Sequence, residues 1–142
     1  MEWENIPEKI ENYFGFVYLI ERINAGIGEK KYYWGCKQFF SKISKPPLKG
    51  KTRKRRVVKQ SDWKSYYGSS KELLFDIEKY GKESFKRTIL KCCTSKWQMK
   101  YEELNYQIQN NVLFRDDVYN GIIHVRLNRA PQNLKGFYQN NI

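Results

Sequence analysis

Two short stretches near the N-terminus combine aromatic and β-branched residues in a way that is typical of strands. The first runs from Phe16 to Arg22 and the second from Lys31 to Cys36. The segment between them contains residues that readily adopt positive φ, namely Asn24, Gly26 and Gly28. The pattern predicts a β-hairpin that places Tyr18 and Tyr33 on neighbouring strands.

Beyond residue 60 the hydrophobic spacing changes between helical and strand periods. Ser69 and Glu72 form a capping-box pattern, which predicts a helix from about Ser70 to Tyr80. Residues 84–93 alternate as a third strand, and residues 96–111 have helical spacing. The apolar stripe expected on that second helix consists of Trp97, Tyr101, Leu104 and Ile108.

The two ends of the chain give weaker patterns. Apolar residues at near-helical spacing predict a short N-terminal helix within residues 1–14, beginning after Pro7. Residues 121–142 form a polar C-terminal extension, and VYNGIIHVRL, residues 118–127, suggests one more strand. A length of 142 residues indicates a single domain, 1–142. The predicted class is α+β, with a small, mainly antiparallel three-stranded sheet flanked by helices.

The charge is concentrated in one insertion, residues 38–60, which is predicted to be a loop or ribbon. The chain carries a net charge of +12, and the insertion has nine basic residues and no acidic one. Such a field attracts polyanions, so contact with nucleic acid is the leading interpretation. A solvated charge run and a nuclear localisation signal are the alternatives. The nine residues are Lys42, Lys45, Lys49, Lys51, Arg53, Lys54, Arg55, Arg56 and Lys59.

The remaining composition excludes several classes of protein. Three cysteines, two of them adjacent, indicate no disulfide framework, and a reducing compartment fits. His124 is the only histidine and no CxxC spacing occurs, so a zinc site is not expected; His124 itself is interpreted as a surface or packing residue. The sequence suggests neither a signal peptide nor a membrane span, and no membrane partner is expected.

The hairpin and the segment after the insertion together resemble the GIY-YIG nuclease superfamily. Phe16-Val17-Tyr18 is similar to the GIY element and Tyr33-Trp34-Gly35 to the YIG element; only the tyrosines and the last glycine match literally. The block from Trp63 to Leu90 is similar to the phage and mobile-element branch of that family, and the resemblance covers about residues 15–121. The expected location is accordingly the cytoplasm of a bacterial or phage-infected cell, or another intracellular space.

The resemblance implies a divalent metal, Mg²⁺ or Mn²⁺, held by a glutamate on the helix after the third strand. The matching residue is Glu103, favoured over its neighbour Glu102 because Gln107 shares a polar face with Glu103. It also implies that Tyr18 acts as the base, provided that nearby cations lower its pKa, and that Tyr33 supports it or contacts phosphate. Asn120 matches an asparagine that buttresses the family's site.

The catalytic cation is where this chain departs from the family pattern, because the insertion follows the YIG element. Lys37 is one candidate, and Arg55 or Arg56 folding back from the insertion is the other. Tyr66 is the candidate for the place of a missing histidine.

The expected activity is metal-dependent hydrolysis of DNA phosphodiester bonds by a homing- or restriction-type endonuclease. Double-stranded DNA is the expected partner, gripped by the insertion or cut by two paired chains, since one site cuts one strand at a time. A non-catalytic nucleic-acid binder and an RNA-directed nuclease are the alternatives. The expected DNA contacts are Lys42, Lys45, Lys49, Lys51, Arg53, Lys54, Lys59, Lys64 and Arg87.

Overall fold

The computed structural model describes residues 2–23 and 28–138, and its centre is a four-stranded sheet in the order β1-β6-β2-β3. The strands of this sheet are β1 Trp3–Glu4, β2 Gly15–Arg22, β3 Lys31–Gln38 and β6 Phe85–Cys93. A separate ribbon is formed by β4 Phe40–Lys45 and β5 Arg55–Gln60. The α-helices are α1 Lys71–Tyr80, α2 Lys96–Gln109 and α3 Gln132–Tyr138. The predicted α+β class is confirmed.

The predicted hairpin is formed by β2, a central strand of this sheet, and β3, its edge strand. Strand β2 pairs antiparallel with β3 on one side and with β6 on the other. In the β2–β3 register, Tyr18 lies opposite Gly35 and Ile20 lies opposite Tyr33, so the two tyrosines share one face. Gly28 has the expected positive φ of 112°. The predicted loop residues Asn24 and Gly26 lie outside the described residues.

The N-terminal helix predicted within residues 1–14 is wrong. Trp3 and Glu4 instead form β1, which pairs parallel with β6 as a fourth strand, and only a single 3₁₀ turn follows at residues 10–12. Trp3 lies in the core beside Phe16, and its indole N–H donates to the Trp63 carbonyl at 2.8 Å. Burying this one large ring against the sheet stabilises the chain more than a helix with the predicted apolar spacing would. Ile6, which belongs to that spacing, is left 45% exposed.

The two faces of the sheet bury different side chains. On one face Phe16, Tyr18 and Ile20 pack with Trp63 and with Leu73 of α1. On the other face Val17 and Cys93 pack with Met99 of α2. The sheet therefore lies between the two long helices, and its β3 edge is accessible to both.

The apolar stripe predicted for α2 does not face the sheet. The buried side chains of the helix are Gln98, Met99, Glu102 and Gln107, whereas Ile108 is 57% exposed. The predicted stripe meets the C-terminal segment: Trp97 stacks on Tyr101, and Tyr101 makes an edge contact with Tyr138 of α3. The sheet covers one side of α2 and the C-terminal segment covers another. The apolar residues of the helix therefore do not all lie on the side that faces the sheet.

The insertion and the tail complete the chain. Of the two predicted forms for residues 38–60, the ribbon is observed. The strand suggested for residues 118–127 is reduced to one parallel bridge between Tyr32 and Val118. There the Tyr32 N–H donates to the Asp117 carbonyl, and the Tyr32 carbonyl accepts from the Tyr119 N–H. Within the described residues, no helix has both the length and the apolar character that crossing a membrane requires.

Candidate active site at the β3 edge

A cavity of about 390 Å³ opens at the β3 edge, between the start of α1 and the middle of α2. We call it the tyrosine pocket. Its wall brings together Tyr33, Glu103 and Asn120, three residues that lie far apart in the sequence. Other side chains that line the pocket are Ser69, Lys100, Gln107 and His124.

The backbone of β3 at this edge is held by two side-chain amides. Asn120 accepts from Trp34 N–H at 3.0 Å and donates to the Trp34 carbonyl at 2.8 Å. Gln107 donates to the same carbonyl at 3.1 Å. Buried amides that are fully hydrogen-bonded fix geometry strongly. Asn120 and Gln107 therefore hold the strand that carries Tyr33, and both line the pocket.

The two hairpin tyrosines differ in their access to solvent. Tyr33 lines the pocket, whereas Tyr18 is 1% exposed and lies beneath it, with ring centroids 6.2 Å apart. Burial, reinforced by the neighbouring Tyr33, raises the pKa of Tyr18 well above its ordinary value. Among the described residues, the groups that act on the Tyr18 pKa raise it, contrary to the condition on which the predicted base role depends.

Two glycines make room for this tyrosine pair. A methyl group on Gly35 would collide with the Tyr18 hydroxyl and lie 3.1 Å from Tyr33 Cε2. Gly68, at a φ of 90°, approaches the same rings, with a Cβ position 3.0 Å from Tyr33 Cε2. The glycine of the YIG-like triplet is therefore required by the close approach of Tyr18 across the neighbouring strand.

The start of α1 supplies a hydroxyl to the pocket. Ser70, rather than the predicted Ser69, caps the helix, and its side chain accepts from Leu73 N–H at 3.3 Å. Ser69 is thereby free to face Tyr33, and the two hydroxyl oxygens are 3.3 Å apart. Burial raises the pKa of Tyr33, and the contact with Ser69 partly opposes that rise.

Adjacent glutamates on α2 point to different environments. Glu102 is 4% exposed and pairs with Lys91 of β6 at 2.9 Å. Glu103 lines the tyrosine pocket instead. The roughly 100° turn between successive helix residues accounts for this separation. Of the two glutamates, only Glu103 is placed where a ligand in the pocket would meet it.

The donors around Glu103 suit a hard cation. Burial, and next the Glu103 carboxylate, raise the pKa of the Cys36 thiol to about 12. The described residues contain no cluster of three or more Asp, Glu, His or Cys side chains that could hold a metal ion, and Glu103 is the carboxylate on the wall of the tyrosine pocket. One carboxylate with room for water fits Mg²⁺, which keeps several waters when bound.

The predicted cation Lys37 and the predicted histidine substitute Tyr66 lie together beside the buried tyrosine. The Lys37 ammonium is 4.1 Å from the Tyr66 ring centroid and pairs with Asp62 at 2.7 Å. The Tyr66 ring in turn makes an edge contact with Tyr18, at 6.2 Å. Lys37 thus reaches Tyr18 only through Tyr66, and it does not line the tyrosine pocket.

The other predicted cations, Arg55 and Arg56, do not fold back over the site in this structure. Both are exposed at the far end of the ribbon, where Arg55 pairs with Lys45 and Arg56 with Ser44. Five residues of extended strand separate that end from Phe40, roughly 17 Å along the ribbon. The regular β4–β5 ladder, which the charges alone do not reveal, carries these arginines away from the pocket.

Two of the predicted DNA contacts have other environments. Arg87 is 3% exposed between the rings of Trp3 and Tyr67, and donates to the carbonyls of Lys64 and Tyr66 at 3.1 and 2.8 Å. It ties β6 to the segment before α1, so its predicted phosphate contact is wrong. Lys64 lines a groove with three acidic residues, Glu2, Glu8 and Glu11, where an anionic backbone is disfavoured.

Other residues of the pocket were not predicted from the sequence. Lys100 and Glu103 are three residues apart on α2, which places them on one face, but no motif marked Lys100. His124, interpreted as a surface or packing residue, is exposed on the pocket wall. It comes from the polar tail, whose path over the β3 edge is set by the Tyr32–Val118 bridge.

Comparison with known proteins identifies the family of the chain. A family model described as "Putative endonuclease segE, GIY-YIG domain" matches residues 2–123, which include the hairpin, the ribbon, α2 and Asn120. Searches of curated proteins and of solved structures gave no match. The family match covers most of the chain and implies a nuclease. The chain belongs to the GIY-YIG endonuclease family.

Proposed function

We propose that this protein is a Mg²⁺-dependent DNA endonuclease of the homing or restriction type, and that the tyrosine pocket is its active site. The observation that carries the proposal is the convergence of Tyr33, Glu103 and Asn120 on one cavity that is open to solvent. A non-catalytic nucleic-acid binder would have no need to keep these three side chains together. The basic ribbon, which we define as β4, β5 and the connection between them, supplies the affinity for DNA.

In this proposal Glu103 holds the metal ion, and Mn²⁺ serves as a substitute. When bound, the ion supplies charge stabilisation to the phosphate and to the departing 3′-oxygen. Asn120 and Gln107 keep β3 in place, which fixes the distance between Tyr33 and Glu103 across the cavity. Positioning of this kind is worth a large share of the rate enhancement in phosphoryl transfer.

Tyr33, rather than Tyr18, is the tyrosine that meets the substrate. Its hydroxyl faces the cavity and contacts Ser69, whereas Tyr18 is enclosed. We assign to Tyr33 the contact with the attacking water or the scissile phosphate. Tyr18 is a positioning residue: packed across Gly35, it supports the Tyr33 ring from beneath.

The test is nicking of supercoiled plasmid DNA with Mg²⁺, with Mn²⁺ and with EDTA. We expect the wild-type protein to nick with either metal and EDTA to abolish nicking, and we expect Glu103→Ala to be inactive. Nicking by Glu103→Ala at the wild-type rate would overturn the metal assignment. No nicking by a wild-type protein that still binds DNA would favour a non-catalytic binder.

The polymer is tested with matched DNA and RNA duplexes under the same conditions. We expect cleavage of the DNA duplex. Faster cleavage of the RNA duplex would show that the protein is an RNA-directed nuclease. Cleavage rates measured against protein concentration report whether two chains act together, since pairing on a duplex predicts a dependence steeper than first order.

A further inference from the structure

A second cavity lies beside the proposed active site, between the ribbon and the first turns of α2. Its volume is about 610 Å³, and we call it the lysine cleft because four lysines line it: Lys37, Lys59, Lys96 and Lys100. The ribbon supplies one wall through Ser41, Ile43 and Lys59, and α2 supplies the other. It is therefore formed where the insertion stands next to the family fold.

The charge of the cleft is strongly positive. Asp62 is the acidic residue on its wall, and Lys37 pairs with it at 2.7 Å. Among the described residues, no carboxylate is within ion-pair distance of Lys59 or Lys96. Both of these side chains are exposed. Cations without partners on two facing walls favour an anion between them.

The ladder of the ribbon extends this charge outward. In an antiparallel pair, directly opposed residues lie on the same face. Lys59 lies opposite Ser41, and Arg55 lies opposite Lys45, two pairs further along the same face. Because Ser41 and Lys59 line the cleft, Lys45 and Arg55 project from the ribbon on the side of the cleft. Lys42 and Arg56 belong to the opposite face.

The inner end of the cleft leads to the tyrosine pocket. Lys100 lines both cavities, and its ammonium is 3.7 Å from the sulfur of Cys36, which also lines the cleft. Glu103 is one helical turn further along α2. Positive charge thus runs from the far end of the ribbon, through Lys59 and Lys96, to Lys100 at the boundary of the proposed active site.

We propose that the lysine cleft holds the phosphate backbone of the DNA strand next to the scissile phosphate, with Lys100 contacting the phosphate nearest the cut. This inference rests on the proposed function. Only the face of the ribbon that carries Ser41 and Lys59 then contacts the DNA strand, which lies between the ribbon and α2. The proposal assigns binding roles to Lys96 and Lys100, which the family resemblance did not mark.

The experiment measures binding of a short fluorescein-labelled DNA duplex by anisotropy in EDTA, over a series of KCl concentrations. Each phosphate contact contributes about 0.9 to the slope of log affinity against log salt. The cleft variant, Lys59→Gln with Lys96→Gln, is expected to reduce the magnitude of that slope by about 2 and to weaken binding at least about tenfold at low salt.

Two matched variants remove the same number of charges elsewhere. Lys79→Gln with Lys82→Gln alters the exposed end of α1, remote from both cavities, and is expected to change affinity less than about twofold. Lys42→Gln with Arg56→Gln alters the other face of the ribbon and is expected to have a smaller effect than the cleft variant. Equal losses of affinity for the cleft variant and for Lys42→Gln with Arg56→Gln would overturn the proposed cleft. The DNA would then be bound by a diffuse basic surface.

Lys100→Gln tests the boundary between the two cavities. We expect it to lower the salt slope by about 1 and to slow nicking of bound DNA as well. A salt slope equal to that of the wild type would show that Lys100 does not contact the DNA backbone.

The proposed cleft and the proposed function fail in different ways. Binding in EDTA involves no cleavage, so equal losses for the cleft variant and for Lys42→Gln with Arg56→Gln overturn the cleft alone. A wild-type protein that binds DNA but does not nick it overturns the proposed function. Circular dichroism melting verifies that each variant is folded.

Discussion

In the tyrosine pocket most polar side chains are fixed by a specific partner, whereas in the basic ribbon most side chains are exposed and hold few contacts. Asn120 and Gln107 are buried and bond to one peptide of β3, and the ring of Tyr18 is enclosed below. The ribbon contributes no residue to the buried core. The difference is what the proposed function requires, namely a rigid pocket for the chemistry and an open, charged element for holding the nucleic acid.

The strongest test of this division separates rate from affinity at Glu103. We expect Glu103→Gln to lower the nicking rate by on the order of 10²- to 10³-fold, because it removes the proposed metal ligand and its charge. The affinity for DNA in EDTA is expected to stay within about twofold, since the ribbon is intact. Single-turnover nicking and anisotropy measure the two quantities. A parallel collapse of binding would show that pocket and ribbon are not separate.

The two tyrosines sharpen the same contrast inside the pocket. We expect Tyr33→Phe to reduce single-turnover nicking by about 10²-fold, because its hydroxyl faces the cavity. Tyr18→Phe, which alters an enclosed side chain, is expected to cost less than Tyr33→Phe. Melting temperatures of both variants control for folding. The opposite order of rates would restore the base role that the resemblance implied for Tyr18.

Glu102 provides a structural counterpart to Glu103. Replacing it by Gln weakens the pair with Lys91 in a 4%-exposed position. We expect a loss of about 1–2 kcal/mol in the free energy of unfolding, moderated because Lys91 is partly exposed. The nicking rate of the folded protein is expected to be nearly unchanged. Urea unfolding and a nicking assay well below the melting temperature measure these effects, and a stable but inactive variant would reverse the assignments of the two glutamates.

The smallest expected effect concerns how well the backbone amides of the ribbon are protected from hydrogen exchange. Amide hydrogens of β2 and β6 lie in the centre of the sheet, whereas those of β4 and β5 pair only with each other. We expect exchange in the free ribbon to be faster by at least about tenfold, and to slow when DNA is added in EDTA. Hydrogen exchange followed by mass spectrometry measures both states. A ribbon that is as protected as the sheet without DNA would contradict the picture of an open grip.

Local patterns predicted the framework of this protein well. The hairpin, α1, β6 and α2 all lie near their expected bounds, because each has a clear period or a capping signal. The resemblance selected Glu103 and Asn120, and the structure places both in one cavity with Tyr33. Their catalytic roles stay predictions.

The errors arose where tertiary packing decides the outcome. Trp3 joins the sheet because the core accepts its ring, and Arg87 is buried because two aromatic rings and two carbonyls receive its guanidinium. Neither environment has a local signature in the sequence. Likewise, the exposure of Tyr33 and the burial of Tyr18 depend on Gly35 and Gly68, which approach from different parts of the chain.

The bond between Asn120 and the backbone of Trp34 also protects the protein from its own copies. Strand β3 is an edge strand, and unpaired peptide groups on such an edge invite a strand from another molecule. Asn120 occupies the N–H and the carbonyl of Trp34, and the Tyr32–Val118 bridge occupies those of Tyr32, two residues earlier on β3. The side chain that lines the pocket thus also blocks extension of the sheet at this edge.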